Sequence, residues 1–573
     1  MRTRIKILGK NGSGLLSTCG IVASALKEMG YFLNADREYE SVIKAGYGKA
    51  SINFSDTPVR SLSNTADILV VMDKPSLKEY AHCLKDGGVC IHGYERPAGF
   101  KSFMADFTER GVKVLNVKAR QISYSHGGNE QMINMVLTGM LWKALGFEYK
   151  WIEAQVQKRF ASKPKLLAID LLCLRDGFDA VEKQFDIALP QNNVKKIMLP
   201  GNQAIALGAA HAGMRCYFAY PMSPATSILD YVSKIAGKYN ICIKQAEDEI
   251  TVANMAIGAM HAGTRALAAT SGGGYDLMTE AVSLAGIIEC PLVIAIAQRP
   301  GPGTGLPTWT GQGDLNLATY SSHGEFARIV IGASNVTDCF ELIQHAFNLA
   351  EVYQVPVIFL TEKVIAGGLE TVPVFEQNKI EIQRGLVTGP DLENLESSDR
   401  FKITDDGVSK RWIPGSCETY YFSNGDEHRE DGHLTEEAGP AGAMYAKRVR
   451  KTETIRSALP EPEIHGVERD ADISFIGWGS SKSTMLDIID LFKDDLKINY
   501  LHYEYLFPLK PEQAQKFFEN NKNIHLIEGN YTGQFGAMIE AATKQDFAGK
   551  LLKWNGRPFF IEDVQAYITQ HTS

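Results

Sequence analysis

CYFAYPMSPATSILDYVSK (216–234), QAEDEITVANMAIGAMHAG (245–263), ALAATSGGGYDLMTEAVSLAG (266–286) and PLVIAIAQRPGPGTGLPTWTGQGDL (291–315) follow one another with short gaps. Each carries or adjoins a short apolar run and a helical pattern, which predicts repeated strand–helix units on a parallel sheet. Ligands in such sheets lie beyond the carboxyl ends of the strands. Three polar features fall at that edge: Ser223, the acidic group Glu247 to Glu249, and Arg299. Ser223 followed by Pro224 predicts a helix N-terminus, with Ser as cap and Pro at the first position. The hydroxyl and free backbone N–H groups there suit an anion, although from the local sequence alone plain capping is the favoured account of Ser223. Acidic residues opening the helix expected at 250–262 complement its dipole. Arg299 ends a buried-looking strand, where a planar guanidinium either grips a carboxylate with two hydrogen bonds or faces solvent.

Length and composition set the frame. A chain of 573 residues predicts about four domains, and 45% apolar with 22% charged residues is an ordinary globular balance. The net charge of −8 speaks against a nucleic-acid partner. The start MRTRIKILGKNGSG lacks the long apolar run of a signal peptide, and the apolar stretches are strand-sized, so no membrane span is expected. Nine cysteines without C-x-x-C spacing suit a reducing cytoplasm and argue against an iron–sulfur cluster held by this chain alone.

Working outward, a strand at 4–8 leads into a turn bearing Gly9, Gly12 and Gly14, and then a helix at 15–29. This is the strand–turn–helix context in which backbone amides cradle phosphate, though tight helix–strand packing also asks for glycine. Further strands are expected at 50–54, 68–72, 89–91 and 112–116, and helices at 121–147 and 165–184. From 377 to about 463 the texture turns polar, with GPDLENLESSDR and YYFSNGDEHREDGHLTEE, and predicts an extended linker with one helix at 440–458. Glu427, His428, Asp431 and His433 match no metal-ligand spacing and are expected in a solvated loop, so no metal site is assigned to this chain. The remainder, 466–573, returns to α/β texture.

YPMSPAT, EDE, TSGGG, RPGPGTGLPT and TGQGDL together resemble the pyrimidine-binding half of the 2-oxoacid:ferredoxin oxidoreductases, thiamine diphosphate enzymes that cleave 2-oxoacids and pass electrons to ferredoxin. The resemblance extends over most of the chain. It implies an α/β protein of several parallel-sheet domains: a gamma-type domain at 1–190, a pyrimidine-binding domain at 195–376, the linker at 377–465 and a transketolase-C-like domain at 466–573. It implies Glu249 as the catalytic carboxyl that hydrogen-bonds the cofactor's aminopyrimidine, with Glu247 as the alternative and Pro221 as a further cofactor contact. Ser223, Arg299 and Thr308 are implied around the substrate carboxylate, and Gly9, Gly12 and Gly14 as phosphate contacts for coenzyme A. The fused gamma domain and RPGPGTGLPT look most like enzymes that interconvert 2-oxoglutarate and succinyl-CoA. The same enzyme type acting on pyruvate or a branched-chain 2-oxoacid is the alternative, then a non-catalytic acyl-CoA- or nucleotide-binding regulatory subunit, and a ferredoxin-independent carboligase. No GDG followed one strand–helix unit later by Asn is present, so Mg2+, the diphosphate grip and a four-iron–four-sulfur cluster are expected on a separate beta subunit, in a dimer of alpha–beta units.

Overall fold

The computed structural model describes residues 2–10, 12–40, 46–94, 101–192, 194–376 and 378–572. The chain forms two compact units, the first made of 1–199, 368–374 and 560–565, the second of the remainder.

The first unit is built on an eight-stranded sheet in the order Lys113–Asn116, Leu84–His92, Ala66–Val71, Thr3–Lys10, Tyr47–Ser55, Phe32–Tyr39, Leu369–Pro373 and Lys196–Leu199. Its first four strands are parallel, whereas Tyr47–Ser55 runs antiparallel to both Thr3–Lys10 and Phe32–Tyr39. The sheet is therefore mixed rather than parallel. Phe32–Tyr39 escapes a hydrophobic reading because FLNADREY is charged; buried Glu38 reaches Lys49 on the neighbouring strand at 3.0 Å. The helix expected at 121–147 is broken around Gly127 (φ +75°), giving Ala119–Ser125 and Ile133–Ala144. Ile133–Ala144 and Pro164–Asp179 pack closely because Gly139 and Gly177 face backbone carbonyls, where any methyl group would overlap. Lys196–Leu199, near the expected start of the pyrimidine-binding domain, and Leu369–Pro373, near its expected end, pair with each other in this first sheet, and Leu369–Pro373 also pairs with Phe32–Tyr39.

The second unit carries two sheets. One has seven strands in the order Tyr505–Phe507, Ile329–Gly332, Pro356–Glu362, Leu292–Gln298, Ala266–Thr270, Cys216–Ala219 and Cys242–Gln245, all parallel except the first. Leu292–Gln298 and Ala266–Thr270 are buried along their whole length, as continuous apolar runs in a covered parallel sheet require. The other sheet has five strands in the order Glu463–Gly466, Ile498–Tyr503, Ile473–Trp478, Ile524–Glu528 and Gly549–Leu552, with only Glu463–Gly466 antiparallel. Val330 and Ile358 of the first and Ile476 and Trp478 of the second share one apolar cluster.

The segment expected as an extended linker is poor in regular elements but packed. Phe401, Trp412 and His428 are buried, and the 21-residue helix Ala438–Ala458 turns Lys447 and Lys451 onto the buried Glu289, at 2.5 and 2.6 Å. Glu351 likewise gathers Arg265, Arg384 and Arg411 at 2.7 to 3.0 Å. Charged residues in this stretch are thus partners of buried acids, which a compositional reading takes for solvated loop. His428 is buried as well, but against carbonyls: its ring nitrogens lie 2.9 Å from the Arg429 carbonyl and 3.3 Å from that of Ile287. Among the described residues no helix is long and apolar enough to cross a membrane.

Candidate functional site

The carboxyl edge of the seven-stranded sheet gathers the polar residues singled out above. Cys216–Ala219 leads into Pro221, Met222 and Ser223, and the helix that follows is Thr226–Tyr239. Its cap position is Ala225, without a side-chain bond, so Ser223 is not the cap expected from its sequence. The reason is a turn at 223–225 that postpones the helix. Ser223 is exposed, and its carbonyl accepts a 2.6 Å hydrogen bond from Arg299 Nη1. The next carbonyl, of Pro224, accepts from Asn202 Nδ2 at 2.9 Å.

Glu249 opens the helix Glu249–His261, with Asp248 as its cap accepting from the Thr251 amide at 2.8 Å. Glu249 is 2% exposed, while Glu247 is exposed and accepts from the Thr251 hydroxyl at 2.9 Å. The two carboxyls therefore differ in kind. Glu249 Oε1 is reached by the Thr270 hydroxyl at 3.3 Å, and that hydroxyl is 3.8 Å from the Met222 sulfur. Gly274 lies against Glu249 so closely that a side chain there would overlap its carboxyl. A buried carboxyl at a helix N-terminus, with one hydroxyl contact and glycine beside it, is placed to hydrogen-bond a ring nitrogen within reach.

Arg299 follows Leu292–Gln298. Burial lowers its pKa, and the nearby carboxyl of Asp314 acts the other way. Asp314 itself is pushed up to about 6, first by burial and then by Asp276, with Arg299 opposing. One of its carboxyl oxygens is buried without a hydrogen-bond partner, and the carboxyl presses on Gly272, where a methyl would come within 2.5 Å of Oδ1. Thr308 is buried on the same loop. The structure thus brings Ser223, Arg299 and Glu249 to one edge with Pro221 between strand and turn, and adds Asn202, Gln312 and Asp314, which motif reading left without roles. Gln312 and Asp314 lie inside TGQGDL, so the signal was present as a motif and absent as chemistry.

In the first unit, the turn after Thr3–Lys10 borders a cavity of about 720 Å³ whose walls include Lys10, Gly12, Ser13, Asp73, Arg120 and Asn134. Asn11 lies outside the described residues. Gly12 lines the cavity. Gly9 sits behind it, with space only for the Ser13 hydroxyl, and Gly14 (φ +88°) caps the helix Leu15–Glu28 under the Asn134 side chain. The left-handed backbone at Gly12 and Gly14 explains both glycines.

Comparison with known proteins follows the same division. Family models described as "Pyruvate flavodoxin/ferredoxin oxidoreductase, thiamine diP-bdg" and "Pyruvate ferredoxin/flavodoxin oxidoreductase" match residues 207–445 and 4–180. A 2-oxoacid:ferredoxin oxidoreductase subunit alpha from Sulfolobus sp. is 31% identical over 621 residues, covering 99% of this chain and 96% of the relative. The 2-oxoglutarate oxidoreductase subunit KorA of Mycobacterium tuberculosis is 27% identical, covering 98% and 90%. A solved 2-oxoglutarate:ferredoxin oxidoreductase from Magnetococcus marinus, with 2-oxoglutarate, coenzyme A and succinyl-CoA bound, superposes with a TM-score of 0.92 at 26% identity over all of both chains.

Proposed function

The chain belongs to the 2-oxoacid:ferredoxin oxidoreductases, as an alpha subunit, and on that footing we propose that it furnishes the pyrimidine-facing half of a thiamine diphosphate site acting on 2-oxoglutarate and coenzyme A. The observation that carries the reading is Glu249, a buried carboxyl at the carboxyl edge of a parallel sheet with Ser223 and Arg299 in the same neighbourhood. The donor set fits the group: one acidic acceptor for the aminopyrimidine, Glu249, with Pro221 in the turn at the same sheet edge, and glycines at 272 and 274 that let the carboxyls of Asp314 and Glu249 close on the backbone. Thiamine diphosphate, when bound, supplies a carbon nucleophile for the 2-oxo group and an acceptor for the electrons left after loss of carbon dioxide.

Glu249 would hydrogen-bond the pyrimidine at N1′ when the cofactor is bound. Arg299 spends Nη1 on the Ser223 carbonyl, which fixes its plane and leaves its other N–H groups for the substrate carboxylate. The Ser223 hydroxyl, released from capping, donates to the same carboxylate, and Thr308, buried on the 300–314 loop, is read as a further contact. In the gamma-type first unit, the cavity beside Gly12 receives the phosphate end of coenzyme A, with Lys10 and Arg120 supplying positive charge and Gly14 shaping the turn. Gly9 contributes through packing. Mg2+, the diphosphate grip and the iron–sulfur cluster reside on the beta subunit, since this sequence carries neither the GDG–Asn pattern nor clustered cysteines. Ferredoxin accepts the electrons, the working assembly is a dimer of alpha–beta units, and the nine free thiols suit the cytoplasm. The pyrimidine-binding portion at 195–376 and the transketolase-C-like portion at 466–573 are read as the functional parts of the second unit, apart from 195–199, 368–374 and 560–565, which belong to the first.

Co-purified with its beta subunit, the chain is expected to reduce ferredoxin with 2-oxoglutarate and coenzyme A in preference to pyruvate or branched-chain 2-oxoacids. Glu249→Gln is expected to lower kcat about 10²–10⁴-fold with the complex intact. Undiminished turnover by that variant would defeat the assignment of Glu249, and preference for another acid in the panel would defeat 2-oxoglutarate.

A further inference from the structure

The loop at 300–314 roots the groups proposed to hold the substrate carboxylate, yet it is rich in glycine and proline and has no regular element of its own before Leu315. Its fixed point is Gln312, which is 1% exposed. The side-chain amide donates to Glu362 Oε1 at 2.8 Å and to the Trp478 carbonyl at 3.0 Å, and its oxygen accepts from the Gly529 amide at 2.5 Å. The backbone of the same residue is held too: its N–H donates to the Gly529 carbonyl at 2.8 Å and its carbonyl accepts from Asn530 Nδ2 at 2.9 Å. Glu362 ends the strand beside Leu292–Gln298, in register with Gln298, so it stands one residue from Arg299 in sheet register. Trp478 and Gly529 end or follow strands of the five-stranded sheet. One residue therefore joins the carboxyl edges of both sheets.

We propose that Gln312 is a positioning residue for substrate carboxylate binding, and that through it the C-terminal five-stranded sheet sets the placement of Arg299 and Thr308. Neighbouring contacts point the same way. Gln534 donates to the Gly313 carbonyl and accepts from the Asn316 amide, both at 2.9 Å, and the Thr310 hydroxyl lies 3.5 Å from Glu362. Glu362 is buried, and burial raises its pKa against the bonds it accepts from Ser480, Gln312 and Thr310. Replacing Gln312 with an apolar residue of similar length would leave the Gly529 amide without its acceptor and take one of two donors from the Trp478 carbonyl and from Glu362 Oε1, which keep Ser481 and Ser480. Buried groups left so are costly, and the loop is the part free to shift and rehydrate them. Misplacement of a binding group by about 1 Å costs up to about 10²-fold in rate. Glu249 and Thr270 lie on other elements and keep their geometry.

The inference rests on the reading of Arg299 given above, and the experiment separates the two. In the complex with the beta subunit, Gln312→Leu, Gln534→Ala and Arg299→Ala are compared by KM for 2-oxoglutarate, kcat, and thiamine diphosphate affinity from calorimetry. Gln312→Leu is expected to raise KM about 10-fold and Gln534→Ala about 3-fold, with thiamine diphosphate affinity within about twofold of the parent. An unchanged KM in an assembled Gln312→Leu complex overturns the proposal, as does parallel loss of KM and cofactor affinity. Should Gln312→Leu fail to assemble, the half-buried Gln534→Ala decides by the same criterion. If Arg299→Ala raises KM while both glutamine variants do not, this inference alone fails. If Arg299→Ala leaves KM unchanged, the site reading fails first.

Discussion

At the scale of single residues, the contrast between Glu247 and Glu249 shows what two positions along a chain decide. Both flank the cap Asp248, yet one carboxyl bonds a hydroxyl in solvent and the other is sealed beside Gly274. The resemblance put Glu249 first and left Glu247 as the alternative; burial now sets them apart, and it depends on where Ala266–Thr270 and Gly272–Ile287 lie. Asp314 was quoted in a motif without a role for the same reason. Its raised pKa yields a signed prediction. An ordinary aspartate ionises near 3.8 in the unfolded chain, whereas Asp314 does so at about 6 when folded. Between those values the unfolded chain binds fewer protons, so this group's contribution to stability falls as pH rises from about 4 to 6. Asp314→Asn is therefore expected to melt higher than the parent at pH 7.5, by the equivalent of up to about 3 kcal/mol, and to show no such gain at pH 4. Thermal melts of the two proteins at both pH values check it; an equal difference at both would assign the effect to packing.

At the scale of elements, periodicity served strands and helices whose faces are apolar and failed where charge is buried in pairs. The strands at 50–54, 68–72 and 89–91 were legible within a few residues, but Phe32–Tyr39 was not, since it is rich in charge and its Glu38 is matched by Lys49 across the sheet. The helix Ala438–Ala458 was legible as a helix and not as a packed one. Its hold on the unit is Glu289: burial alone would raise that carboxyl's pKa, but Lys447 and Lys451 outweigh it and keep it well below the usual range. Glu289→Ala would leave two buried ammonium groups without a counter-charge, a loss of about 3–5 kcal/mol. Amide hydrogen exchange along 438–458 is expected to quicken by about 10²-fold or more, with the strand Ala266–Thr270 little affected. Uniform acceleration across the unit would show that the helix is not separately held. Gly14→Ala tests the turn in the first unit: at φ +88° and against Asn134, the added methyl is expected to raise KM for coenzyme A in the complex while leaving KM for 2-oxoglutarate alone, and the reverse pattern would place coenzyme A elsewhere.

At the scale of the whole molecule, family membership was legible from an ordered set of short motifs, whereas the division into units was not. Boundaries near 190 and 376 follow texture along the chain, but Lys196–Leu199 and Leu369–Pro373 are added to the first sheet by pairing over long sequence separations. No local pattern encodes such pairing. The chain is read as half of a catalytic site, and by itself it is expected to give no 2-oxoacid-dependent reduction of a viologen dye, with activity appearing on titration with the beta subunit up to a one-to-one ratio. Full turnover by the chain alone would defeat that reading. A last consequence concerns Tyr505–Phe507, which leaves the C-terminal sheet's neighbourhood to border Ile329–Gly332 in the other sheet. That short strand covers what would be an open template for aggregation. Gene fission anywhere between residues 375 and 505 would therefore yield two polypeptides that must find each other during synthesis, before the exposed border of the first recruits a stranger.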